Sequence, residues 1–397
     1  MCSPRCFDYR SRLLALADAR PDHARLTRRS FLAASAVPLV AAACATAPVP
    51  PGPTRDLLDA TLSFDLHSHP GLFKRISNDT LAGHRQSAES GRVKLIALTA
   101  TSDAPVIARN RAGALHAIRE PKPGELYASM YRQIDALVTW SGAAGMPIVS
   151  SVTDAGTPVP PVRGILAVEG CDFLEGRIDR VQEAFDRGIR SLQLVHYRVN
   201  ELGDIQTEPA VHGGLTPFGK EAVREMNRLG IVIDVAHARF EVVRGVVQTT
   251  TQPIILSHSN IVDSSGWLRF ISPEHSRLVA GTGGVIGAMP IIFGRRSEDI
   301  TGYVHHVSRL VDAAGIDHVG IGTDMDGIGP GAIFTSYARW PSLAAALVDH
   351  GYRPEEAAKI LGGNAQRVFR RVSASAPSRG GVSGGRRSDR RVPRARS

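Results

Sequence analysis

Residues 62–69, LSFDLHSH, set two histidines directly after an apolar, β-rich run, and the same arrangement recurs along the chain. Glu169 closes GILAVEG (164–170), His237 closes IVIDVAH (231–237), His258 follows PIILS (253–257), and Asp324 and Asp326 follow HVGIGT (318–323). Polar residues placed just past buried strands are what a (β/α)8 barrel gathers, because the carboxyl ends of its strands converge on one rim. Imidazoles and carboxylates collected there suit zinc or a similar divalent ion. The pattern therefore predicts an α/β fold, a (β/α)8 TIM barrel of the metal-dependent hydrolase type.

Outward from these runs, apolar and amphipathic stretches alternate as parallel βα units do. Eight strands are predicted: 62–66, 95–99, 164–168, 191–195, 231–235, 254–256, 285–289 and 319–322. Helices are predicted over 125–139, 177–188, 217–229 and 301–314. Thr216 ahead of Pro217 is a cap followed by a proline suited to the first helical position, and Gly230 supplies the stop. Residues 102–123 read as a long loop on the active-site rim. The glycine-rich GTGGVIG (281–287) precedes a strand and has the wrong spacing for a dinucleotide fingerprint.

The 397 residues are 43% hydrophobic and 21% charged, enough for one large core, and a single barrel can run to this length. The net charge of +9 raises nucleic-acid binding, so its location matters. Seven arginines against three aspartates in residues 1–47, and seven against one in 373–397, leave the body at about −1. The basicity belongs to the tails, and no nucleic-acid partner is expected.

LTRRSFLAASAVPLVAAACATAP (26–48) puts Arg28-Arg29 before an apolar run and then small residues. It resembles a twin-arginine export signal, and its apolar run is shorter than the roughly 20 residues needed to span a bilayer. The expected organisation is a signal peptide over 1–47, a linker over 48–60, the metallohydrolase domain over 61–372 and a disordered basic tail over 373–397. The mature protein is expected in the periplasm or associated with the envelope. Cleavage after Ala47 and lipidation at Cys44 are both open, the latter giving the expected contact with a membrane. Either way Cys171 is left without a disulfide partner.

His67 and His69 lie two apart on an extended segment, so both side chains can grip one ion. Glu169 can bridge two cations, which permits a binuclear site with His67 and His69 on one ion and His237 and His258 on the other. At this point the residues match a known pattern. DLHSHPG (65–71), LAVEGCD (166–172), LQLVHYRVNELGD (192–204), GLTPFGKEAVREMNRLGIVIDVAHA (214–238), PIILSHSN (253–260), GIDHVGIGTDMDG (315–327) and ILGGNAQRVF (360–369) together resemble the membrane dipeptidase (renal dipeptidase) family of the amidohydrolase superfamily.

The resemblance implies two Zn2+ ions per chain on His67, His69, Glu169, His237 and His258. It implies that His196 contacts the substrate carbonyl, that Arg269 holds the substrate carboxylate and that Asp324 handles protons, while Asp326 supports its loop. The implied activity is hydrolysis of dipeptides, including those with a C-terminal D-residue, by a metal-bridging hydroxide. Alternatives are lactone or N-acyl amino acid hydrolysis at the same metals, or a non-catalytic envelope binding protein. A homodimer is compatible with the chain, and the expected small-molecule partner is a dipeptide. One departure stands out: the family's first motif reads His-x-Asp, whereas this chain has His67-Ser68-His69, which removes one negative charge from the site.

Twin-arginine substrates cross the membrane folded, so replacing Arg28-Arg29 by Lys-Lys should strand precursor in the cytoplasm. Cell fractionation checks this, and processed protein outside the inner membrane in that variant would reject the route.

Overall fold

Strand β1 (Phe64–Ser68) is buried along its whole length, as a strand covered on both faces must be. The computed structural model describes residues 53–71, 76–111, 113–152, 162–263, 265–291, 300–328 and 332–375. The expected export segment, Cys44 and the tail beyond Ser375 lie outside the described residues. Helix α1 (Pro53–Ala60) precedes β1, so the expected linker carries a helix before the barrel. Then follow α2 (Asn78–Gly91), β2 (Leu95–Thr101), the hairpin β3 (Ile107–Arg109) and β4 (Leu115–Ala117), α3 (Glu125–Ala143) and β5 (Arg163–Glu169). After them come α4 (Asp179–Asp186), β6 (Ile189–Gln193), α5 (Pro217–Leu229), β7 (Val232–Asp234), α6 (Phe240–Val247) and β8 (Ile255–Ser259). The chain continues through α7 (Pro273–Gly281), β9 (Val285–Ala288), α8 (Ile300–Ala314), β10 (Val319–Ile321), α9 (Trp340–Asp349), α10 (Pro354–Ala358) and α11 (Asn364–Ser373).

The strands close into one parallel barrel in the order β1, β2, β5, β6, β7, β8, β9, β10 and back to β1. All eight expected strands are present. Several run one to three residues beyond the predicted end, so His67, Glu169 and His258 sit inside strands rather than past them. Apolar character fades at these ends because the rim is polar, which hid the true boundaries. The segment 102–123 departs from the expected loop: it forms a short 3-10 turn at Ala104–Val106 and the β3/β4 hairpin.

Alternation divides the side chains between two cores. Phe64, Leu66, Leu95, Ala97, Ile165, Ala167, Val232, Ile255 and Val285 pack inside the barrel, where Val368, Phe369 and Val372 of α11 close one end. Phe64 and Phe369 meet edge to face at 5.0 Å. The intervening residues, such as Ile96, Leu98, Leu166, Val168 and Ile233, join the larger core beneath the helices. Helix α5 begins and ends as read: Thr216 accepts a hydrogen bond from Gly219 N at 2.9 Å, and Gly230 takes a left-handed φ of 72°. The glycines of GTGGVIG serve packing, since a Cβ on Gly284 or Gly287 would lie 2.1 Å from Ile254 O or 1.8 Å from Ser257 O.

One buried carboxylate ties the barrel mouth together. Asp65 accepts from Thr323 N at 2.8 Å, Thr323 Oγ1 at 2.5 Å, Tyr337 OH at 2.7 Å and His67 N at 3.3 Å. It thereby joins β1, the loop after β10 and the turn before α9. Burial pushes its carboxyl up to about 6, against these four hydrogen bonds.

Asp65→Ala should destabilise the fold by about 3 kcal/mol, because buried donors lose their acceptor, and Asp65→Asn should cost less. Folded Asp65 holds its proton more tightly than the unfolded chain does, so its stabilisation relative to Asn should fall as pH rises from about 4 to about 6 and then level off. Urea unfolding of the three proteins across that range checks both statements. An Ala variant as stable as the parent would refute the first.

Candidate metal centre

Most of the ligand candidates reach the barrel mouth through an irregular piece of backbone. With Phe64 and Leu66 facing inward, plain alternation would turn His67 outward. The pairing of β1 with β2 shifts register between Asp65 and Ser68, and such a bulge re-aims the side chain. A matching shift between Leu256 and Ser259 in β8 does the same for His258. His237 and Asp324 adopt left-handed φ values of 65° and 48°, which L-residues take up only at a cost. Glu169 alone follows simple alternation from Ile165 and Ala167. Extended spacing therefore foretold that His67 and His69 would meet, but the meeting depends on a bulge.

The result is a knot of ligand atoms. Glu169 Oε1 lies 3.3 Å from His67 Nε2, 3.3 Å from His237 Nε2 and 3.7 Å from His258 Nε2. Its other oxygen lies 3.2 Å from His69 Nε2 and 3.1 Å from His196 Nε2. His67 Nε2 and His69 Nε2 are 3.0 Å apart, and His237 Nε2 and His258 Nε2 are 3.1 Å apart. All six side chains are at most 5% exposed.

Two imidazole nitrogens at such distances repel unless a proton or a cation lies between them. The surroundings favour a cation at His69, whose Nδ1 faces Thr99 O at 3.3 Å. A carbonyl only accepts, so the hydrogen belongs on Nδ1 and the Nε2 lone pair faces the centre. Ser257 Oγ lies within reach of Nδ1 of both His258 (2.9 Å) and His67 (3.3 Å), fixing those rings from behind. Burial, with Arg269 and neighbouring imidazoles, holds His237 and His258 well below the ordinary histidine range, hence neutral as ligands must be. Burial alone would raise the Glu169 carboxyl, but His196, His67 and His69 outweigh it and keep the group ionised. The residues fit divalent metal: the ligand atoms of His67, Glu169 and His258, those of His67, His69 and Asp324, and those of Glu169, His196 and His237 each lie within 4.8 Å of one another.

Three further predicted residues join the cluster. Asp324 Oδ1 sits 3.4 Å from His69 Nε2, and burial first, then Glu169, raises its carboxyl. His196 Nε2 points at Glu169, and its Nδ1 lies 2.7 Å from Asp103 Oδ1. Burial opposes charging this imidazole, yet Asp103 and Glu169 push it up to about 9. Arg269 is buried, donates to Gln206 Oε1 and places Nη2 3.2 Å from His258 Nε2. No carboxylate among the described residues pairs with it. Asp326 stays apart, exposed on its loop.

Asp103, Gln206 and Ser257 were not foreseen. Asp103 follows the apolar run of β2 much as Glu169 follows that of β5, so a signal existed within the segment read as loop. Gln206, in the loop between β6 and α5, and Ser257, within β8, carry none, because neutral polar residues in such places are common.

The family model for membrane dipeptidase (peptidase family M19) matches residues 133–379. Dipeptidase tcpJ of Claviceps purpurea (strain 20.1) is 32% identical over 227 residues, 55% of this chain and 53% of that protein, so the match spans about half of this curated relative. The probable dipeptidase PvdM from Pseudomonas aeruginosa has a similar structure, with a TM-score of 0.66 at 20% identity over 81% of this chain and 98% of that one. A metallo peptidase from Rhodobacter sphaeroides, liganded with a phosphinate mimic of the dipeptide L-Ala-D-Ala, gives 0.67 at 21% identity over 79% and 99%. At these identities the two structures establish the barrel. The family match takes in Glu169, His196, His237, His258, Arg269 and Asp324, and over that extent the chain belongs to the membrane dipeptidase family.

Proposed function

We propose that this chain is an exported, metal-dependent dipeptidase that acts on free dipeptides, including those with a C-terminal D-residue. One observation carries the reading: Arg269 is a guanidinium 2% exposed, beside the ligand cluster, with no carboxylate partner among the described residues. A buried cation facing only a neutral amide and an imidazole favours an anionic ligand. A dipeptide's terminal carboxylate has the matching charge and fork, and lies within one residue of the scissile bond. The phosphinate bound by the Rhodobacter sphaeroides relative mimics L-Ala-D-Ala, which supports the D-residue part of the proposal.

Two zinc ions on His67, His69, Glu169, His237 and His258 would supply Lewis acidity toward the scissile carbonyl and water of lowered pKa. The chain's own groups do the rest. His196 Nε2, aimed into the cluster, would donate to the carbonyl oxygen as charge develops on it. Asp324, whose raised carboxyl suits reversible proton transfer, would take a proton from the attacking water and return it to the leaving amine. Arg269 would bind the substrate carboxylate and set the register of the peptide bond against these groups.

Metal content provides the first check. Purified protein should bind up to two zinc ions per chain by elemental analysis, and His237→Ala or His258→Ala should lose at least one. Absence of metal from the intact protein after reconstitution would sink the metal assignment.

Substrate form provides the second. Amidating the terminal carboxylate leaves Arg269 buried without a partner, a penalty of about 2–5 kcal/mol, or roughly 30- to several thousand-fold in kcat/KM. Arg269→Ala should erase most of that preference while leaving zinc content unchanged. Equal kcat/KM for free and amidated dipeptides in the parent would remove Arg269 from the specificity role and favour a broader amide hydrolase.

A further inference from the structure

His196 is held from both sides. Its Nε2 lies 3.1 Å from Glu169 Oε2, and its Nδ1 lies 2.7 Å from Asp103 Oδ1. Asp103 is fully buried, and its second oxygen accepts the Tyr197 backbone N–H at 3.0 Å. Both oxygens are thus committed to adjacent residues of one segment, which leaves the carboxylate little freedom to turn.

The backbone beneath Asp103 is equally constrained. Ser102 N donates to Glu169 O at 2.9 Å, and Ser102 Oγ accepts from Phe173 N at 2.8 Å. Strands β2 and β5 pair in unbroken register from Leu95 and Arg163 to Thr101 and Glu169. The two carboxylates that face the imidazole are therefore carried on hydrogen-bonded neighbours. Gly170, at a left-handed φ of 82°, lets the backbone pass close to this residue, since a Cβ there would sit 3.3 Å from His196 Cβ and 2.7 Å from Asp172 Oδ2.

We propose that Asp103 is a positioning residue for the hydrolytic reaction: it accepts the Nδ1 hydrogen of His196 and so holds the ring in one orientation, with Nε2 directed at the substrate carbonyl. A carboxylate can only accept, so Asp103 calls for a hydrogen on Nδ1 and disfavours a flipped ring, while Nε2, which also faces a carboxylate oxygen, carries the second hydrogen that it offers the carbonyl. A buried carboxylate behind a catalytic imidazole acts by orienting the ring rather than through contact with substrate. This role rests on the hydrolase reading given above.

The test compares Asp103→Asn, His196→Gln and the double variant in zinc-loaded full-length protein. Asn keeps the size but offers one acceptor oxygen where Asp offers two, so Tyr197 N and His196 Nδ1 must compete for it. Asp103→Asn should lower kcat on a free dipeptide at least about a hundredfold, with KM, zinc content and thermal midpoint close to the parent's. In the His196→Gln background it should cost nothing more. Long-range proton–nitrogen correlation spectra of 15N-histidine protein, assigned by comparison with His196→Gln, should show the His196 Nδ1–H of the parent lost or shifted in Asp103→Asn. That spectrum needs no substrate turnover, so it decides the Asp103 role even if the protein proves not to cleave dipeptides. An unchanged His196 spectrum, additive losses in the double variant, or zinc loss in parallel with the activity loss would each overturn the proposal. If Asp103→Asn does not accumulate folded, Asp103→Ser gives the same comparison with a smaller side chain.

Discussion

Keeping Glu169 ionised inside the barrel mouth is the constraint around which the site is built. A carboxylate 2% exposed would ordinarily be neutral. Here four imidazole Nε2 atoms lie within 3.3 Å of one or other of its oxygens, and a fifth at 3.7 Å. Such crowding of ligand atoms needs positive charge among them, from protons or from metal, and metal is what the neutral His237 and His258 suit. The surrounding hydrogen bonds, Thr99 O behind His69 and Ser257 Oγ behind His67 and His258, turn the rings so that their lone pairs converge.

That convergence is made with backbone the barrel would otherwise avoid. Register shifts in β1 and β8, and left-handed conformations at His237 and Asp324, cluster where the strands end. Each would relax if the barrel loosened. The four hydrogen bonds to Asp65 hold the mouth against that relaxation, while Phe369 and Val372 pack the inner core at the other end. Strain concentrated at a site and opposed by well-packed surroundings is a common division of labour in enzymes.

His69 shows how a local substitution redistributes charge without dispersing the cluster. The five proposed donors include only one carboxylate, Glu169, and Asp324 approaches His69 Nε2 at 3.4 Å from across the mouth.

Much of this was legible in the primary structure. Apolar runs ending in His, Glu or Asp specified a parallel barrel and its rim, because strand burial and ligand placement are both local, periodic properties of the chain. All eight residues assigned to the site, His67, His69, Glu169, His196, His237, His258, Arg269 and Asp324, do come together. What the tertiary structure decided was how they come together. Alternation alone would have turned His67 and His258 outward, and only pairing with neighbouring strands produced the bulges that turn them in. Asp103 and Gln206 acquire meaning from partners 93 and 63 residues away, and Ser257 links its neighbour His258 to His67, 190 residues away. A hydrogen bond between distant segments leaves no period or spacing in the sequence, so folding must bring its two ends together before either residue has a role.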